Sequence, residues 1–251
     1  MSSNALSFLE LEAVNFAYPE RGKVVKDISL TLAPGEIHCL IGRSGCGKTT
    51  LLKLAAGLLK PQTGRIQLKG QDVYQPVPDM GFVFQTPTLL NWLSILDNVL
   101  LPLSLHGTVT SAQRAYGEQL LSQMGLTPYR HEKPLQLSGG QQSRVAIARA
   151  CITRPSVLFM DEPFASLDAM TRDALQNDFL TMCHAQGTAV LFVTHDLNEA
   201  VYLADRVSLL NEGHIQPPLN IHLPRPRDNN LRFTPPFNLL CQQLRQILDA
   251  Q

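Results

Sequence analysis

Eight consecutive residues, Gly42-Arg43-Ser44-Gly45-Cys46-Gly47-Lys48-Thr49, fit the phosphate-loop template G-x-x-x-x-G-K-[ST]. Glycines let the backbone wrap closely around an anion, so that successive N–H groups and a following helix start face the phosphates. Lys48 would reach the β- and γ-phosphates and the Thr49 hydroxyl would ligate a divalent cation, with Thr50 beside it among the nucleotide contacts. A second element, Val157-Leu158-Phe159-Met160-Asp161-Glu162, ends four apolar residues in paired carboxylates. Acids at the C-terminal end of a parallel strand face the ligand crevice. Asp161 would hold Mg²⁺ through water, and Glu162 would orient or deprotonate an attacking water, assistance worth about 10²- to 10⁴-fold in rate. Leu137-Ser138-Gly139-Gly140-Gln141 opens a helical pattern and makes a second anion-binding helix start. There Ser138 supplies a hydroxyl, and Gly139 and Gly140 expose N–H groups. The phosphate loop by itself does not separate a kinase from a GTPase or a transport motor.

These groups need strands and helices to hold them. Apolar Ile37 to Ile41 reads as a buried strand that leads through the glycine-rich loop into a helix over Lys48 to Leu59. Alternation predicts strands over Leu9 to Phe16, Ile28 to Leu32 and Arg65 to Lys69, and Met80 to Phe84 reads as another short, apolar strand. Residues 88–150 are Leu- and Gln-rich with no strand pattern, and read as an inserted helical lobe. Strands over Val157 to Met160, Ala189 to Val193 and Arg206 to Leu210 then alternate with a helix over Thr171 to Ala185 and a short one after Asp196, which implies a parallel sheet. Past Gly213 a proline-punctuated stretch precedes Leu239, Leu240, Leu244, Ile247 and Leu248, assigned to one helical face that packs on the chain's own core.

Composition narrows the partners. Lys plus Arg and Asp plus Glu both number 21, and this zero balance argues against a broad nucleic-acid-binding face. Five cysteines without a C-x-x-C pair form no closed disulfide framework and fit a reducing compartment. Met1 to Glu10 lacks the basic and apolar regions of a signal peptide. The Leu-rich stretch Leu89 to Leu105 is interrupted by Asn91, Asp97, Asn98 and Pro102, and is too short and polar to span a bilayer.

Leu137-Ser138-Gly139-Gly140-Gln141, placed shortly before the acidic strand, resembles the signature of the ATP-binding cassette (ABC) family, and the other motifs follow in the family's order over nearly the whole chain. Tyr18 matches the aromatic that stacks on adenine, a contact worth about 1–3 kcal/mol, with Phe16 as a rival. Gln85 matches the Q-loop glutamine that senses Mg²⁺ and water, Ala165-Ser166-Leu167-Asp168 resembles the D-loop, and His195 matches the switch histidine at the γ-phosphate. The resemblance implies an α/β fold: a phosphate-loop NTPase core with a mostly parallel sheet, an N-terminal antiparallel β-lobe and an inserted helical lobe. It implies one domain over 1–251, divided into 1–87 (β-lobe and phosphate loop), 88–150 (helical lobe), 151–215 (rest of the core) and 216–251 (tail and helix).

It further implies an ATPase with ATP and Mg²⁺ as cofactors. Lys48, Gln85, Glu162 and His195 are then catalytic, and Thr49, Gln85 and Asp161 serve the metal. Tyr18, Gly42 to Thr50, Ser138, Gly139, Gly140, Gln141 and Asp168 bind the nucleotide. Each nucleotide would lie between two copies of the chain on the cytoplasmic face of the plasma membrane, coupled to an integral permease and, indirectly, to an extracytoplasmic solute-binding protein. Leu89, Leu90, Trp92, Leu93 and Ile95 lie where importers of the family receive a permease helix, and fit either that groove or internal packing.

Asn91-Trp92-Leu93-Ser94, Asn198 to Arg206 and Leu223-Pro224-Arg225-Pro226-Arg227 resemble the nitrate, sulfonate and taurine importer group, with departures at Asn91 and Ser143. Importers of a pyrimidine or vitamin precursor, and non-transport ABC ATPases, are the alternatives. A small-molecule kinase would leave the signature and His195 unexplained. Cys46 beside a helix start is either a thiol of lowered pKa or a small filler.

Overall fold

A computed structural model describes residues 8–20 and 22–249. Strands β1 (Leu9–Tyr18) and β2 (Gly22–Leu32) pair antiparallel. β3 (Ile37–Ile41) runs through the phosphate loop into α1 (Lys48–Ala55), which stops ahead of Gly57 rather than reaching Leu59. β4 (Thr63–Leu68) and β5 (Gln71–Asp72) complete a four-stranded antiparallel sheet in the order β2-β1-β4-β5. After β6 (Met80–Val83) come α2 (Ile95–Ser104), α3 (Ser111–Gln123) and α4 (Gly139–Cys151), with no strand between residues 88 and 150.

The chain continues through β7 (Val157–Asp161), α5 (Ala169–Gln186), β8 (Ala189–Val193), α6 (Leu197–Leu203) and β9 (Arg206–Asn211). The core sheet, in the order β9-β3-β8-β7-β6, is parallel throughout. Two strands that alternation does not reveal, β10 (His214–Ile215) and β11 (Leu219–Asn220), pair antiparallel with β9. Two residues are too few to carry a period. α7 (Pro235–Asp249) ends the described chain.

Every residue of β3, β7 and β8 is buried, as expected for parallel strands covered on both faces. Side chains alternate between two cores. Ile37, Cys39, Leu158, Met160, Val190 and Phe192 pack with the helices, while Leu40, Phe159, Leu191 and Val193 pack with α1 and the antiparallel sheet. Loops at the C-terminal ends of these strands are therefore held on a stiff base. α7 does pack on its own core through Phe237, Leu240, Leu244, Ile247 and Leu248, but Leu239 is exposed and lies off that face.

His38, buried on β3, shares a 2.9 Å hydrogen bond with Ser208 Oγ on β9. Burial, reinforced by the Arg206 guanidinium, pushes its pKa from the ordinary 6.5 down to about 3. The folded chain thus binds this proton more weakly than the unfolded chain. The histidine's contribution to stability is whole above pH 6.5 and is lost as the pH falls from there toward 3. Between pH 7.5 and 5.5 it should cost about 1.4 kcal/mol. Urea midpoints measured for wild type and His38→Gln check this, since the variant should lose correspondingly less; an equal acid loss in both would contradict it.

Candidate functional site

At the end of β3 the chain turns too tightly for side chains. A Cβ on Gly42 would lie 2.2 Å from Leu210 O, and one on Gly47, at φ +109°, 2.7 Å from Val24 O. Gly47 is the N-cap of α1 with no side-chain cap, and the first turn carries no acid. The leading N–H groups of α1 are thus left to an anion. Lys48 Nζ donates to Gly42 O (2.8 Å) and Arg43 O (2.9 Å), so Arg43 joins the site through its carbonyl. Thr50 Oγ1 lies 3.4 Å from the Tyr18 hydroxyl. Of the two readings of Cys46, the structure favours the filler: burial raises its thiol pKa against the opposing pull of Lys48 and of backbone hydrogen bonds.

Opposite the loop, β7 delivers the two acids. Asp161 is 4% exposed; burial, and then the neighbouring Glu162, raise its carboxyl pKa, while the Thr49 hydroxyl, donating at 3.0 Å, opposes that rise. Glu162 adopts left-handed backbone at φ +47°, a conformation that costs a side-chain-bearing residue about 1–3 kcal/mol. Its N–H still donates to Val193 O at 3.0 Å. On its carboxylate Oε2 two other elements converge: Gln85 Nε2 donates from 3.4 Å, and His195 Nδ1 lies 3.1 Å away.

One cavity of about 1120 Å³ gathers most of the residues that the sequence singles out. Its wall includes Tyr18, Gly42, Ser44 to Thr50, Gln85, Glu162 and His195. Asp161 sits behind Thr49. Tyr18 faces this space, whereas Phe16 meets the Tyr18 ring edge-on at 4.9 Å and packs on the core shared with the antiparallel sheet, which favours Tyr18 of the two aromatics. The wall also contains Lys23, Lys26 and Glu212, which the sequence reading misses. The first two come from β2 and the third from the turn after β9; only the strand pairing brings them beside the phosphate loop. A Gly directly after Glu212, at φ +84°, is the one local hint of a close approach.

Ser138, Gly139, Gly140, Gln141 and Asp168 are not in that wall. Ser138 caps α4: its Oγ accepts from Gln141 N at 3.3 Å, and its N–H donates to Gln141 Oε1 at 2.9 Å. Asp168 caps α5 by accepting from Thr171 N at 3.0 Å, and that hydrogen bond holds its carboxyl below the usual carboxylate range. Ser143 Oγ donates to Gly139 O at 3.1 Å and so accepts from Ser166 Oγ at 2.8 Å, joining the two segments. Arg172 in turn reaches Leu167 O (2.9 Å) and Asp196 Oδ2 (3.2 Å).

Beyond Gln85, Arg149 of α4 grips Pro87 O (2.8 Å) and Thr88 O (3.0 Å), and buried Asn98 hydrogen-bonds Leu90, Leu93 and Ser94. The apolar cluster beside them divides. Ile95 is wholly buried and Leu89 packs on the core, whereas Trp92 is 71% exposed.

A parallel core sheet, a phosphate loop, a buried acid hydrogen-bonded to that loop and a carboxylate at its mouth together have the build of a nucleoside triphosphatase of the phosphate-loop class. Residues 25–165 match the family model described as ABC transporter. The chain is 43% identical over 229 residues to the nitrate import ATP-binding protein NrtD of Synechococcus elongatus, covering 88% of this chain and 84% of that one. It is 47% identical over 209 residues to the aliphatic sulfonates import ATP-binding protein SsuB 1 of Xanthomonas axonopodis pv. citri, covering 82% and 83%. Among solved structures, the dimeric post-hydrolysis state of the ATP-binding cassette MJ0796 bound to ADP and Pi superimposes with a TM-score of 0.77 at 30% identity, over 86% of this chain and 99% of that one. The chain belongs to the ABC transporter family, as one of its ATP-binding, ATP-hydrolysing subunits.

Proposed function

We propose that this chain drives import of a small anionic solute, hydrolysing MgATP between two copies of itself at the cytoplasmic face of a membrane permease. The observation that carries the catalytic part is the convergence of Gln85 and His195 on one oxygen of Glu162, at the mouth of the phosphate loop. In this reading Gly42 to Thr50 wrap the phosphates, Lys48 neutralises the outer ones, and Tyr18 stacks on the base. Glu162 accepts the proton of the attacking water, and Gln85 and His195 hold that carboxylate and the γ-phosphate in line.

Mg²⁺ fits the chemistry of the pocket. Asp161 is a buried carboxylate whose side chain, among the described residues, accepts a hydrogen bond from the Thr49 hydroxyl, and a divalent cation would supply compensating charge. Among the described residues no group of three or more His, Cys, Asp or Glu converges as a metal site. Thr49, Asp161 and Gln85 would therefore share the ion with phosphate oxygens and water, the usual habit of Mg²⁺. Bound there, the ion would neutralise charge on the phosphates.

Ser138 to Gln141 and Asp168 lie outside the cavity, which supports their serving the nucleotide of the second copy. No helix among the described residues is long and apolar enough to cross a membrane. Exposed Trp92 on the Gln85 side is the proposed contact with the permease. NrtD and SsuB 1 carry names of anion importers, nitrate and aliphatic sulfonates, which supports the solute class; a solute-binding protein on the far side of the membrane would deliver it.

Thin-layer analysis of γ-labelled ATP tests the reading. The purified chain should release label only as inorganic phosphate, and a chelator should stop the release. Label on another acceptor, or undiminished release without divalent cations, would overturn it.

A further inference from the structure

We propose that Arg232, in the C-terminal segment, is a positioning residue that fixes the backbone around His195 by acting through Gln176, Glu199 and Thr194; this rests on the role given to His195 above. The Arg232 guanidinium lies 3.6 Å from the Tyr202 ring centroid and 3.3 Å from Asp173 Oδ1. Its Nη2 donates to Gln176 Oε1 at 2.5 Å. With that oxygen occupied, the other side of the same amide faces α6, and Gln176 Nε2 donates to Glu199 Oε1 at 3.0 Å. Glu199 Oε2 accepts the hydroxyl hydrogen of Thr194. Thr194 Oγ1 then accepts from Asp196 N at 3.1 Å, while Thr194 N donates to Leu40 O at 3.3 Å.

Donor direction is one-way along this path. A guanidinium only donates and an ionised carboxylate only accepts, so the orientations of the Gln176 amide and the Thr194 hydroxyl between them are set. The path ends on the Asp196 N–H, in the peptide unit that follows His195, and on Thr194, the residue before it. Gln176, Thr194 and Glu199 are buried, at 0%, 2% and 4% exposure, so water does not compete for their bonds. Burial pushes the Glu199 carboxyl up to about 7, against the pull of the Thr194 hydroxyl, so its ionised form depends on these donors. Without Arg232, the Glu199 carboxylate alone holds the Gln176 amide, whose carbonyl oxygen is left buried without its charged donor. The strap carrying Arg232 is itself held, since Arg227 Nη1 donates to Tyr202 O at 2.7 Å and Asn229 Oδ1 accepts from Asn177 Nδ2 at 3.0 Å.

Steady-state phosphate release by the full chain tests this, with Arg232→Met made alone and on top of His195→Ala. Misplaced catalytic groups lose rate rather than affinity, so Arg232→Met should lower kcat about 10-fold with KM for ATP changed less than about twofold. On the His195→Ala background the same substitution should change kcat by less than about twofold. Losses that multiply on that background, or full kcat in Arg232→Met, overturn the proposal. Should Arg232→Met fail to fold, Glu199→Gln takes its place with the same two expectations and the same two contrary results. His195→Ala turning over at the wild-type rate would instead refute the reading of His195 itself.

Discussion

Glu162→Gln is expected to lower steady-state ATP turnover by about 10²- to 10⁴-fold. Binding of ATP should persist. The argument is local to one oxygen: Glu162 Oε2 is the shared partner of Gln85 Nε2 and His195 Nδ1, at the mouth of the cavity whose floor is the phosphate loop. An amide of the same shape keeps the packing and leaves the strained backbone at φ +47° no worse, because neither residue is a glycine. It removes the negative charge and the proton acceptor. Lys48, Thr49 and the helix start, which are proposed to hold the phosphates, are untouched. Phosphate release and equilibrium nucleotide binding, measured on the same preparation, separate the two effects. Turnover near the wild-type rate would remove Glu162 from the chemistry, and loss of ATP binding would assign it to the ligand site instead.

Much of this site is legible in the sequence because its main parts are contiguous. The phosphate loop, the acids at the end of β7 and the Ser138 to Gln141 segment each lie within a few consecutive residues. Buried strands on either side then announce which end faces the crevice. Gln85 and His195 are lone residues, readable only by their order along the chain, and the fold supplies what order lacks by setting both against Glu162.

Other features were illegible for identifiable reasons. Lys23, Lys26 and Glu212 reach the cavity through pairing of elements far apart in the chain. The pKa of Cys46 turns on burial, which opposes the helix start and outweighs it, and burial is a property of the folded chain. β10 and β11 are two residues each, below any detectable period. Leu239 sits among core leucines in the sequence yet is exposed, because α7 docks through a narrower stripe than its apolar content suggests. Ser143 reads as a departure from the family pattern, and its bond to Ser166 gives that departure a structural use.

One protomer gathers Tyr18, the phosphate loop, Gln85, Glu162 and His195 into a single cavity, yet Ser138 to Gln141 and Asp168 lie outside its wall. The Ser138 hydroxyl and the Gly139 N–H stand at the start of α4, and a Cβ on Gly139 would meet nothing within 4 Å. In the proposed reading that helix start meets the phosphates of a nucleotide carried by another copy. Stabilisation of the developing charge is then incomplete in an isolated chain, and each well-placed donor is commonly worth about 3 kcal/mol. Mass action turns this into a dependence on concentration.

The rate of phosphate release per chain, measured at saturating MgATP over a dilution series that runs from dimer to monomer, tests the claim most directly. Well below the dimer dissociation constant, each 10-fold dilution should lower the rate per chain about 10-fold. A rate per chain that stays level where sedimentation finds only monomers would contradict it.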